Sequence, residues 1–184
     1  LAFIIVSDLE PLNCDAVIAA AEEMGLKMTV SPPSEDDDDD DGEEKQGGSP
    51  NITGFDLEGD ETVLVMLIPM PHPDVEEFGH GPFSPEDMDA LSNGPGHYIV
   101  TLIGMEGTVD EADTKMSAVT SCVMAGLRPL GVLKMPGLVF HRPELFSDCA
   151  KKAFTDGELP MLICVDVTAA QESETHMSFL THNM

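Results

Sequence analysis

Two apolar runs constrain the fold of this chain more than any other feature. Val63-Leu64-Val65-Met66-Leu67-Ile68 has no polar residue, and Tyr98-Ile99-Val100-Thr101-Leu102-Ile103 is nearly as apolar. Short runs without alternation read as central strands covered on both faces. Pro69, Pro71 and Pro73 end the first run, since proline has no N–H to give a sheet ladder. Strands of this kind need helices to cover them, and 184 residues, 42% of them hydrophobic, are enough for one such domain.

Local signals place the other elements. Leu1-Ala2-Phe3-Ile4-Ile5-Val6 has no basic lead and no small-residue cleavage site, so it reads as a strand. Pro11 opens a predicted helix that runs to Met24, with Cys14, Val17, Ala21 and Met24 along one stripe and Gly25 as its stop. Leu26 to Val30 is a short strand. Thr53 to Glu58 and Glu61 to Met70 make a predicted hairpin with Gly59-Asp60 as a two-residue turn. Ser84-Pro85-Glu86-Asp87 starts a helix that stops by Asn93-Gly94. Thr108-Val109-Asp110-Glu111 is a capping box, and the helix it opens carries Val109, Ala112, Met116, Val119 and Val123 on one face before Gly126. Val132 to Met135 and Leu138 to Phe140 read as a second hairpin about Pro136-Gly137. Pro143 opens a helix with Leu145, Phe146, Cys149, Ala150 and Ala153 as its apolar face. Met161 to Val167 is the last expected strand, and residues 169–184 read as a polar tail.

From Tyr98 to Val167 the order is β-α-β-β-α-β, a ferredoxin-like unit. Residues 1–92 echo it loosely. The expectation is therefore an α+β fold of sheet and helix layers in a single domain over 1–184, interrupted at 31–50 by an acidic low-complexity insert loop.

Charge narrows the partners. The chain has 35 Asp and Glu against 8 Lys and Arg, a net charge of −27. Nine of those acids fall in residues 35–44, and without those nine the chain still stands at −18. Such a field repels nucleic acid and anionic lipid, and favours basic protein partners, cations or a salt-rich medium. No stretch approaches the roughly 20 apolar residues of a membrane helix. Cys14, Cys122, Cys149 and Cys164 form no C-x-x-C pair and sit among apolar neighbours, which fits free thiols in a reducing, cytoplasmic setting.

The motifs of nucleotide, hydrolase and zinc-protease chemistry are missing: there is no P-loop, no G-x-G-x-x-G after a strand, no G-x-S-x-G and no H-E-x-x-H. One constellation has metal-ligand chemistry. His72, Asp74, Glu77 and His80 place two imidazoles and two carboxylates in a loop that leaves a central strand, and a divalent metal is its candidate cofactor. A solvated acidic turn is the competing reading. His97 follows Gly94-Pro95-Gly96, whose glycines admit a ligand or a backbone at close range. Arg142 precedes Pro143 at a helix N-terminus, where an anion binds or where the cation pairs with a surface acid. His97 and Arg142 are therefore candidate pocket residues.

Met66-Leu67-Ile68-Pro69-Met70-Pro71-His72-Pro73, Gly96-His97-Tyr98-Ile99-Val100-Thr101-Leu102, Gly131-Val132 and Arg142-Pro143-Glu144-Leu145-Phe146 together resemble a bacterial family of uncharacterised α/β proteins catalogued as a domain of unknown function. The resemblance covers roughly residues 60–168. It implies an α/β fold and a bacterial origin, and it implies no catalytic residue. It also makes His97 and the Pro71–Pro73 turn a shared feature that is expected to meet at one edge of the sheet. Taken together, these features favour a non-catalytic binding or regulatory module. Its partners would be a basic protein and, through a sheet face, a second copy. The alternative is a metal-binding protein or metal-dependent hydrolase built on the His72–His80 loop.

Overall fold

In the computed structural model the chain runs β1 (Ala2–Val6), α1 (Cys14–Met24), β2 (Met28–Val30), β3 (Ile52–Leu57), β4 (Thr62–Ile68), β5 (Gly79–His80), α2 (Pro85–Ser92), β6 (Gly96–Ile103), α3 (Val109–Ala125), β7 (Pro129–Lys134), β8 (Val139–His141), α4 (Pro143–Asp156), β9 (Asp166–Ser173) and β10 (His176–His182). The structure describes residues 1–32, 52–73, 75, 77, 79, 80, 83–135, 139–158, 160, 163, 166–173 and 176–182; for 79, 80 and everything from 166 on, only the backbone is described. The acidic insert therefore lies almost wholly outside the described residues, as does Cys164.

Eight strands form one sheet in the order β2-β3-β4-β6-β1-β7-β8-β5, antiparallel throughout except for the β5–β8 pair. The two apolar runs, β4 and β6, lie side by side near its middle, with Val65 opposite Val100. The α+β class is as expected. The ferredoxin-like unit is not assembled among the described residues: β1 inserts between β6 and β7, and β9 pairs with β10 in a separate two-stranded sheet. The expected polar tail thus contains most of that hairpin.

Helices α1, α3 and α4 cover one face of the sheet. Ala2, Ile4 and Val6 of β1, Val63, Val65 and Leu67 of β4, and Tyr98 and Val100 of β6 point into this layer and are at most 6% exposed. Helix α3 packs against both α1 and α4, and its residues from Met116 to Met124 are all buried. Two polar residues in that stretch bond back along the helix: Ser117 Oγ donates to the Asp113 carbonyl at 2.8 Å and Thr120 Oγ1 to the Met116 carbonyl at 2.7 Å. Each hydroxyl is thereby satisfied inside the core. One charge is buried here too. Lys134, 2% exposed at the end of β7, pairs with Asp113 of α3 at 2.9 Å.

The second face is covered over half its width. Helix α2 and the segment after β4 bring Val75 and Leu91 onto Ile5, Leu133 and Phe140. On β3, β4 and β6 the same face remains partly solvent-exposed. Strand β4 therefore alternates between fully buried and half-buried positions, which corrects the reading of a strand sealed on both sides.

The caps form where local chemistry puts them. Ser84 and Thr108 each make a full capping box, with Asp87 and Glu111 as the reciprocal partners. Gly25 ends α1 in the left-handed conformation at φ 81°. Three local expectations shift. Asn13, not Pro11, starts α1, its side chain accepting from the Ala16 N–H at 3.1 Å. The first hairpin closes with Leu57 N–H donating to the Glu61 carbonyl at 3.0 Å, so its turn spans Glu58, Gly59 and Asp60. Val109 is 77% exposed at the start of α3, a turn too early to reach the sheet.

Candidate functional site

The residues singled out by sequence resolve into two places. His97 is the second residue of β6, opposite Ile5 of β1 and Ile68 of β4. Gly96 before it has no room for a side chain, because a Cβ there would lie 2.7 Å from the Ile68 carbonyl oxygen and 2.6 Å from Leu9. The glycine admits the protein's own backbone. Beyond Ile68 the chain folds back over the sheet, and the Met70 carbonyl lies 3.0 Å from His97 Nδ1. A carbonyl only accepts, so Nδ1 carries the proton and donates. His72 follows, with its ring 5.0 Å from that of His97 and 4.9 Å from Phe3, both edge-on, and 6.1 Å from Phe140. His72 is 8% and His97 5% exposed. The proline turn and His97 thus meet, though over the interior strands β4, β6 and β1 and not at an edge of the sheet, and it is His72 that packs down in a buried cluster.

The other members of the metal constellation are not brought together by the described residues. Glu77 is exposed, Asp74 lies outside the described residues, and His80 is described only as a backbone partner of Phe140 in β5. No group of three His, Cys, Asp or Glu side chains stands at metal-binding distance among the described residues. Arg142 is elsewhere. It precedes α4, pairs with Asp87 of α2 at 2.9 Å and lies 5.8 Å over the Phe83 ring. A cavity of about 240 Å³ beside it is lined by Phe83, Asp87, Leu130 and Glu144, and His97 does not reach it. Two cysteines are held as thiols: burial pushes Cys122 up to about 12, and burial also raises Cys149.

Burial holds the His97 imidazole below its ordinary pKa, against the opposing effect of the bond to Met70. The unfolded chain then takes up a proton at a pH where the folded chain does not. Stability is complete above the ordinary histidine pKa of about 6.5 and falls as pH drops through and below it. Carboxylates such as Asp87, lowered chiefly by its bonds to Ser84, weaken the fold only at a more acid pH. His97→Asn is expected to be less stable than the parent at pH 8, with the gap narrowing by pH 5.5. Thermal melts across that range check this, and a constant gap would contradict it.

A second place was not visible in the sequence. At one end of the fold a cavity of about 600 Å³ is lined by the end of α1 at Gly25, the end of α4 at Gly157, the β3–β4 turn and the start of α3. Leu26, Leu57, Met105 and Phe154 give it an apolar floor. Its rim holds Glu58, Glu61, Glu106, Asp110 and Glu111 against Lys27 and Lys115. Lys27 pairs with Glu58 at 2.7 Å and Lys115 with Glu61. The hydrogen bond from Lys27 lowers the Glu58 pKa, and the backbone bond from Thr108 lowers that of Glu111, so both remain charged at neutral pH. The C-termini of α1 and α4 each add roughly half a negative charge through their last carbonyls, and the N-terminus of α3 adds roughly half a positive one. Neither α1 nor α4 has a basic residue in its last turn to offset its carbonyl end.

Comparison with protein-family models, with curated proteins and with solved structures finds no match to this chain.

Proposed function

We propose that this chain is a non-catalytic binding module whose acidic groove takes a basic, partly apolar segment of a protein partner. The observation that carries this reading is the groove itself, an apolar floor under a rim with five acids and two lysines at two helix C-termini. At about 600 Å³ it is within the range of pockets that enclose a ligand. Apolar side chains bury on Leu26, Leu57 and Phe154 while lysine or arginine heads reach the rim. The surrounding field, −27 over the chain, draws such a segment in and keeps nucleic acid out. The sequence supports binding over catalysis, since it has none of the searched catalytic motifs.

Titrating the isotope-labelled protein with a synthetic peptide of alternating lysine and leucine tests the location. The amide signals of Leu26, Leu57, Thr114 and Gly157 are expected to shift together, and less so as salt is raised. Shifts spread over the surface but missing at these four residues would reject the groove.

A further inference from the structure

We infer, on the reading that the groove is the binding site, that Lys27 regulates it from within: its ammonium holds the place at Glu58 that a partner's lysine or arginine head takes, and binding exchanges one for the other. Two lysines line the groove, and they differ in kind. Lys115 of α3 pairs with Glu61, and the two side chains are only 25% and 13% exposed. The Glu61 carbonyl also accepts from the Leu57 N–H, and Gly104, at φ 80° after β6, lies so close to the Asp60 carbonyl that a Cβ would not fit. Lys115 and Glu61 thus belong to a fixed wall. Lys27 pairs with Glu58 at 2.7 Å, but there the side chains are 77% and 73% exposed. A pair so open to water is weak and exchanges readily, because each charge is nearly as well solvated alone.

The weak pair sits at the edge of the apolar floor. Lys27 follows Leu26 and Glu58 follows Leu57, and both leucines are buried in that floor. An incoming residue whose stem lies on Leu26 and Leu57 brings its charged head to Glu58. It meets an ammonium of its own sign there. Lys27 must swing into solvent before the head reaches the carboxylate, and its exposure leaves it room to do so. Glu61 offers no such exchange, since Lys115 is held between α3 and the β3–β4 turn. Lys27 therefore weakens the binding of a basic segment without blocking the floor, and its loss strengthens that binding.

Calorimetry with the lysine–leucine peptide on Lys27→Gln, Glu58→Gln and the double variant tests this. Lys151→Gln, at an exposed lysine of α4 outside the groove, controls for net charge. Lys27→Gln is expected to bind about threefold more tightly than the parent, and more tightly than Lys151→Gln. On the Glu58→Gln background the gain from Lys27→Gln should shrink to that of Lys151→Gln, because no carboxylate is left to free. Nitrogen NMR of the parent should show the Lys27 Nζ signal moving on peptide addition while that of Lys115 stays. A Lys27→Gln variant no tighter than Lys151→Gln, or a gain that persists without Glu58, overturns the role of Lys27 and leaves the groove in place. A parent whose Leu26, Leu57, Thr114 and Gly157 amides do not respond to the peptide overturns the groove itself, and the role of Lys27 with it.

Discussion

Phe140→Ala is expected to remove about 3–5 kcal/mol of stability, a large part of the 5–15 kcal/mol typical of a domain. Phe140 is 0% exposed in the middle of β8. It is the shared wall between the sheet and its second layer, packed with Ile5, Val75, Leu91 and Leu133 and 6.1 Å from the His72 ring. Truncation removes the transfer free energy of a benzyl group and leaves a cavity that strands on either side cannot close. For a chain of this length the melting temperature should fall by about 10 °C. Phe140→Met, which keeps most of the volume, should stay within about 1.5 kcal/mol. A loss below about 1 kcal/mol for alanine would mean that α2, His72 and Val75 do not pack on the sheet as described.

The second large effect comes from the buried ion pair. Asp113→Ala takes a carboxylate from beside an ammonium that is 2% exposed, and breaking such a pair from one side costs about 3–5 kcal/mol. The Lys134 stem already lies between β7 and the helix layer, so a methionine fills nearly the same space. Adding Lys134→Met to Asp113→Ala should therefore recover most of the loss, because apolar replacement of both partners is close to neutral. Urea melts of the two single variants and the double variant measure the coupling. Single and double variants of equal stability would show that the pair contributes nothing beyond its packing.

Local chemistry was the legible part of this fold. Ser84 and Thr108 cap helices because an oxygen at the N-cap reaches the third N–H whatever the rest of the chain does. The buried strands were legible from their apolar runs. The order of the strands was not, since the insertion of β1 between β6 and β7 is decided by long-range packing and not by any pattern within β1. Lys134 was a signal that went unread: a single cation in the apolar stretch Val132-Leu133-Lys134-Met135 must be either exposed or paired. The hairpin at the C-terminus lacks a continuous apolar run, and so it read as tail.

The candidate sites divide in the same way. The meeting of the proline turn with His97 was expected from the family resemblance alone; the structure supplies its reason, since the turn leaves β4 where His97 enters the paired strand β6. The groove was hidden because its parts are four element ends far apart in sequence. Gly25 and Glu58 each read as an ordinary stop or turn, and only the tertiary fold sets them on one rim.

The most direct test of the binding reading is calorimetry with the lysine–leucine peptide on three proteins: the parent, a Glu58→Gln/Glu106→Gln/Asp110→Asn triple variant, and a deletion of residues 35–44. The three substituted acids line the groove, and the deleted segment holds nine further acids. If the groove is the site, the triple variant binds about tenfold more weakly, a loss of about 1.4 kcal/mol, and the deletion changes affinity far less. A triple variant that binds like the parent, with affinity lost on deleting 35–44, would contradict the account and make the acidic insert the binding element.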